Sequence, residues 1–293
     1  MKNHLVPDGA IVLGIDASTG SDLARAWAVA EARRSGRPLH LLHALEWLEV
    51  APLDLDDDLD ITAQLEVDRL AQTTPSLDVT AQSSTGSAAR ALVDASDRAE
   101  LVVVGAQGRG QLAAALLGSV SRQVASHARC PVVVVSTQEE AEDKGPEPAR
   151  VVVGLDASST SLPALAWAFD AAQSRTTGLT AVHCWRPPPP GGQFAGSNWA
   201  QVWQDVEQLD RDLVTAELRE WSDKLPEVDV RHEFTRGHPV SALVAASAGA
   251  ELLVVASRGR GGFSGLLLGS VSHGVLGKAH CPVVVVPVRP QAD

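Results

Sequence analysis

Two stretches of the chain read almost alike. One is LVVVGAQGRGQLAAALLGSVSRQVASHARCPVVVV, Leu101 to Val135; the other is LLVVASRGRGGFSGLLLGSVSHGVLGKAHCPVVVV, Leu252 to Val286. Laid together without a gap, Leu116–Val135 and Leu267–Val286 are identical at 14 of 20 positions. The two halves also begin alike, with IVLGIDAS from Ile11 and VVVGLDAS from Val151. One unit is therefore used twice. Its period of about 140–150 residues is far too long for a solenoid, so the units are tandem domains. A length of 293 residues agrees, at roughly 100–200 residues per domain.

Working outward from the repeat, each half alternates apolar β-branched runs with helical spacing. In the first half AIVLGID reads as a strand and SDLARAWAVAEARRSG as a helix ending in glycine. PLHLLHAL is a strand, a helix follows near residues 58–73, and DVTAQSST is the third strand. SAARALVDASDRA is a helix and LVVVGA the fourth strand. After the glycine loop come a helix near 119–128 and the strand PVVVVS. The second half repeats the order, with strands near 150–156, 179–185, 228–235, 251–256 and 282–287. Such alternation predicts an α/β fold: two tandem doubly wound domains, each a parallel sheet with helices on both faces. The crossover after the first strand is expected to be right-handed. The segment STQEEAEDKGPEPAR, Ser136–Arg150, is charged, contains proline and lacks periodicity. It sets the expected division: domain one 1–140, linker 141–147, domain two 148–293.

Composition narrows the function. The net charge is −12, and no Lys/Arg cluster supplies the basic face that phosphate-gripping nucleic-acid binders need. Three cysteines are too few for a disulfide framework. Cys130 and Cys281 occupy matching places before a proline and four valines, which reads as a small buried side chain at the start of a strand. The opening MKNHLVPDGAIVLGID has no apolar h-region, and no run reaches the ~18 apolar residues of a membrane helix. The expectation is a cytoplasmic protein without membrane or nucleic-acid partners.

Doubly wound sheets bind ligands beyond the carboxyl ends of their strands, at the switch point. Asp16 and Asp156 stand just after the first strands, and the glycines just after the fourth. In the first half the spacing is Gly105-x2-Gly108-x9-Gly118-Ser119. Glycines there admit close approach of backbone amides, and Gly118-Ser119 opens a helix whose free N–H groups favour an anion. An aspartate on the neighbouring strand end suits a ribose hydroxyl, or a Mg2+ ion bridging to phosphates. The plain alternative is a glycine-rich turn that binds nothing.

With the repeated order of elements, the strand-one aspartate, the G-x2-G-x9-G-[ST] spacing and the closing CPVVVV resemble the universal stress protein family, in its tandem two-domain form. The resemblance covers nearly the whole chain. It implies a five-stranded parallel sheet per domain, order 3-2-1-4-5, and ATP binding, since members carrying the glycine motif bind ATP. It places Asp16 near ribose and phosphates and adenine at the backbone of Ala44. It lays the triphosphate against Gly105, Gln107, Gly108, Gly118, Ser119 and Val120. The matching second-half positions are Asp156, Cys184, Ala256, Arg258, Gly259, Gly269, Ser270 and Val271. It also suggests that the last strands pair across an interface and that two chains form a homodimer. Ala256 departs from the pattern, because it stands where the first half has Gly105. If that position requires positive φ or an unobstructed approach, the alanine Cβ interferes, and Arg258 and Arg260 are the residues that could compensate by pairing with phosphate.

Other signals are weaker. There is no G-x4-G-K-[ST] and no G-x-S-x-G. DLDDDLD, Asp54–Asp60, lacks the glycine and glutamate of a calcium loop, with Leu59 and Leu65 in their places. RPPPPGGQFAGSNW, Arg186–Trp199, reads as a stiff surface connection, and Trp199, Trp203 and Trp221 as packing for the helix after it. LAAALL and GFSGLLL, inside the two glycine loops, read as packing surface or as a cover over phosphates. His43, His127, His183 and His280 read as structural rather than metal-binding. Three functions compete: a nucleotide-binding stress-response regulator, a slow ATPase without a positioned general base, and an interaction scaffold that needs no nucleotide.

Overall fold

The computed structural model describes residues 6–16, 19–45, 65–70, 72–107, 117–136, 149–185, 199–260 and 267–288. The expected linker 141–147, Gly108, the acidic run 54–60, the proline segment 186–198 and most of the two apolar loop runs (112–116 and 262–266) lie outside the described residues.

By spatial clustering the chain forms two compact units. The first is Met1–Glu139 with Leu276–Lys278 and Pro282–Pro287; the second is Glu140–Val275 with Ala279–Cys281 and Val288–Asp293. The first contains β1 (Ile11–Ile15), α1 (Thr19–Ser35), β2 (Leu39–Leu45), a helical α2 over 65–70, β3 (Val79–Thr85), α3 (Ala88–Ala95), β4 (Leu101–Gly105), α4 (Ser119–His127) and β5 (Val132–Val135). Its strands run parallel in the order β3-β2-β1-β4-β5, the expected 3-2-1-4-5. The valine runs are buried because both faces are covered: Val102, Val103, Val132, Val133 and Val134 are at most 1% exposed.

The second unit contains β6 (Val151–Leu155), a 3-10 turn (Ser159–Ser161), α5 (Leu162–Arg175), β7 (Leu179–Trp185), α6 (Trp199–Lys224), β8 (Val230–Arg236), α7 (Pro239–Ala246) and β9 (Leu252–Ala256). Here β7 pairs with β8 and β6, and β6 with β9, all parallel. After α8 (Ser270–Leu276) comes β10 (Val283–Val286), which belongs to the first unit and pairs there antiparallel with β5, Val284 opposite Val133.

Matched residues repeat matched packing. Gly14 and Gly154 sit mid-strand where a leucine of the covering helix crosses. A Cβ on Gly14 would lie 3.1 Å from Leu92, and one on Gly154 3.0 Å from Leu243. Ser96 and Ser247, which end α3 and α7, accept the backbone N–H of Arg129 and His280, each at 2.9 Å. These bonds fix the turns that deliver Cys130 and Cys281 into the core. Both thiols are buried, and burial pushes each up to about 12.

Candidate functional site

The second domain shows the site most fully. Asp156 follows β6, and Ala157 after it adopts φ 55°, a left-handed turn that costs a non-glycine residue some strain. Asp156 Oδ1 accepts from Ser158 N at 3.2 Å and from Ser158 Oγ at 2.5 Å. Its Oδ2 accepts the backbone N–H of Arg260 at 2.8 Å. The strand-one aspartate and the glycine loop are thereby tied together.

The Arg260 side chain turns to α6. Nη1 donates to Asp210 Oδ2 at 2.6 Å and Nη2 to Asp210 Oδ1 at 2.9 Å, a two-pronged pair, and Nη2 also reaches Ala157 O at 3.1 Å. The hydrogen bonds it donates to Asp210 hold the guanidinium pKa above its ordinary value. Beside this pair opens a cavity of about 340 Å3, lined by Asp156, Cys184, Trp185, Trp203, Val206, Asp210 and Arg260. It lies at the carboxyl ends of β6 and β7. Behind Cys184, His183 is 1% exposed. Burial foremost pushes its pKa down to about 4, helped by His232 and Arg260 and opposed by Asp210 and Asp156. Burial also raises the Cys184 thiol.

The other second-domain positions, Ala256, Arg258, Gly259, Gly269, Ser270 and Val271, are not among the cavity's lining residues. Ala256 ends β9 without positive φ, and Gly105 is likewise outside the left-handed region, so the alanine carries no conformational penalty there. Arg258 Nη2 donates to Val288 O at 2.7 Å. Gly269 N donates to Ser257 O at 2.7 Å, and Ser272 Oγ reaches Ser257 O at 3.1 Å. Ser270 and Val271 open α8.

The first domain repeats the frame. Asp16 follows β1 and its N–H donates to Ser21 Oγ at 3.4 Å; Ala44 lies in β2 opposite Ser84. Gly105 ends β4 and Gln107 is half-buried beyond it. Gly118 N donates to Ala106 O at 2.7 Å, and a Cβ on Gly118 would stand 3.1 Å from that same oxygen. Gly118 caps α4 without a side-chain bond, so no side-chain cap closes the first turn, where Ser119 and Val120 lie. Ser121 Oγ binds Gly105 O at 2.7 Å and pins that turn to the strand end.

Sequence reasoning missed Asp210 as a cavity residue and assigned Trp203 to packing. The signal was present: Trp203, Val206 and Asp210 recur at helical spacing, on one face of α6. Trp221, by contrast, packs as expected, stacked on Phe169 with ring centroids 5.5 Å apart. Among the described residues no cluster of three or more His, Cys, Asp or Glu is arranged to hold a metal, and no helix is long and apolar enough to cross a membrane.

Comparison with known proteins gives a consistent result. The family described as the Universal stress protein family matches residues 9–136 and again 148–287. A universal stress protein of Mycolicibacterium smegmatis is 35% identical over 297 residues, covering 95% of this chain and 97% of that one. One from Mycobacterium tuberculosis is 36% identical over 295 residues, covering 94% and 95%. Among solved structures, a universal stress protein from Archaeoglobus fulgidus superposes with TM-score 0.68 at 19% identity, covering 98% of this chain and 99% of that one. That last likeness speaks to the fold.

Proposed function

The chain belongs to the universal stress protein family, and on that premise we propose that it is an adenine-nucleotide-binding regulator of a stress response, with one site per domain. The observation that carries the proposal is the cavity at the ends of β6 and β7, where Asp156 meets the loop at Gly259 and Arg260. About 340 Å3 falls within the roughly 300–1,000 Å3 of small-molecule sites. Asp156 accepts a ribose hydroxyl, the backbone after β7 at Cys184 meets the adenine edge, and the indole of Trp203 offers an apolar wall.

ATP is the nucleotide proposed for the first domain. Gly105, Gln107, Gly108, Gly118, Ser119 and Val120 would surround its phosphates. The first turn of α4, uncapped by any side chain, supports this, because free N–H groups at a helix start favour an anion. Mg2+ prefers one or two carboxylates together with phosphate oxygens. Asp16 would serve it in the first domain, the ion offsetting phosphate charge beside the carboxylate. The three free thiols fit a reducing, cytoplasmic setting. Pairing of two chains into a homodimer belongs to the same proposal and is read by light scattering.

The test is the nucleotide content of freshly purified protein, released by denaturation and resolved by chromatography. One to two equivalents of adenine nucleotide per chain are expected. An empty protein that also gives no calorimetric response to Mg-ATP, AMP or adenosine overturns the reading and leaves the scaffold function in its place.

A further inference from the structure

Both halves of the sequence carry an arginine after the second glycine of the loop, and in the second half the structure shows that arginine's partner. Arg109 and Arg260 correspond in the same register that matches Gly118 with Gly269, Gly86 with Gly237 and Pro75 with Pro226. In that register Asp210 falls on Leu59. Leu59 stands between Asp58 and Asp60, and among the described residues the carboxylate grip on this arginine is shown in the second half, at Asp210.

The Asp210–Arg260 pair decides what the second cavity can hold. Its charged lining is Asp156, Asp210 and Arg260, one negative charge in excess. The lone guanidinium of that lining is already neutralised, both of its Nη atoms on Asp210 at 2.6 and 2.9 Å. Asp210 is 10% exposed, whereas Arg260 is 46% exposed, so the carboxylate is the member that cannot be abandoned to solvent. A phosphate that drew Arg260 away would strand a buried, unpaired charge, which is the costly way to break such a pair. A polyphosphate that left the pair intact would lie in a net negative lining.

We infer that Asp210 is a specificity-determining residue of the second domain: by holding Arg260 it makes this cavity select an adenine ligand carrying at most one phosphate over a triphosphate. The inference rests on the nucleotide reading above and adds to it which ligand the second site takes. The two sites of one chain then report different species, ATP at the first and its low-charge relatives at the second. A regulator built this way responds to the ratio of the two rather than to either alone.

The experiment uses the full chain carrying Asp16→Ala, which weakens the first site, and titrates adenosine, AMP and Mg-ATP by calorimetry. AMP is expected to bind at least tenfold more tightly than Mg-ATP. Adding Asp210→Asn frees the guanidinium and should shrink that ratio tenfold or more, while Asp210→Glu keeps the carboxylate and most of the preference. Arg260→Gln, which leaves Asp210 without its partner, should widen the ratio; it also serves if Asp210→Asn does not fold, as a thermal melt will show. A preference for Mg-ATP at the outset, or a ratio indifferent to Asp210→Asn and Arg260→Gln while the ligands still bind, overturns this inference and leaves nucleotide binding standing. Absence of binding by every adenine ligand, with Asp16 intact as well as replaced, overturns both.

Discussion

Gly259 and Asp156 are packed so closely that no side chain fits between them. A Cβ built on Gly259 would lie 2.5 Å from Asp156 Oδ2, the oxygen that accepts the Arg260 N–H at 2.8 Å. The glycine is needed for this approach and not for its own dihedral angles, since it is not among the positive-φ residues. Gly259→Ala is therefore expected to push the carboxylate off the loop. The bound adenine ligand should fall by one equivalent per chain, counted after denaturation. Stability should change by only about 1 kcal/mol, the low end of overpacking costs, because the displaced atom ends a short side chain near solvent. Unchanged stoichiometry would remove Asp156 from the site.

Phe169 of α5 is fully buried and stacks on Trp221 of α6, so it joins the helix that carries Asp210 to the core of its domain. Phe169→Ala should cost about 3–5 kcal/mol, read from the urea midpoint. Phe169→Leu keeps most of the volume and should cost under about 1.5 kcal/mol. If the two variants were equally destabilised, the stack rather than the volume would be responsible.

Arg150 holds the start of β6 to its neighbours. Its side chain donates to Thr180 Oγ1 at 3.1 Å, Leu179 O at 2.9 Å, Asp229 O at 2.6 Å and Asp229 Oδ2 at 2.6 Å. It also occupies the space above Gly178, where any Cβ would collide with the guanidinium. Arg150→Ala should cost about 2 kcal/mol, since charge-assisted bonds to two backbone carbonyls and the Asp229 carboxylate are lost. Arg150→Lys should recover less than half, because an ammonium cannot reproduce the fork. Full rescue by lysine would show that charge alone matters.

Much of this architecture was legible before any coordinates. The glycine-centred repeat and the valine runs predicted parallel strands, because both features have local causes: close backbone approach at Gly118 and burial on both faces at Val102–Val104 and Val132–Val134. The switch-point rule singled out the aspartates after the first strands, and Asp156 lines the cavity of the second unit. What sequence could not supply was the lateral packing of α6. Asp210 and Arg260 are 50 residues apart and become partners only through the tertiary fold. The second residue worth reconsidering is Ala256. That strand end has no left-handed backbone to accommodate, so the alanine carries no dihedral penalty, and the obstruction it can offer is to a ligand's approach.

The buried histidine behind the cavity sets a pH dependence. His183 lies parallel to His232 with ring centroids 6.2 Å apart and meets the Phe234 ring edge-on at 5.1 Å, both on β8. From α6 it faces Asp210, and from the loops Arg260 and Asp156. Burial pushes its pKa down to about 4 from 6.5. In that window the unfolded chain binds the proton that the folded chain refuses, so stability rises with pH from about 4 to about 6.5 and is lost as pH falls through it. His232 is shifted in the same direction, again chiefly by burial, and adds to the slope. Urea midpoints measured from pH 4 to 7.5 should therefore climb toward neutrality. His183→Gln should flatten the climb without abolishing it, and the difference between the two curves cancels the carboxylates they share. Parallel curves for the two proteins would mean that the imidazole is protonated in place, and Asp210 would then be the group that accommodates it.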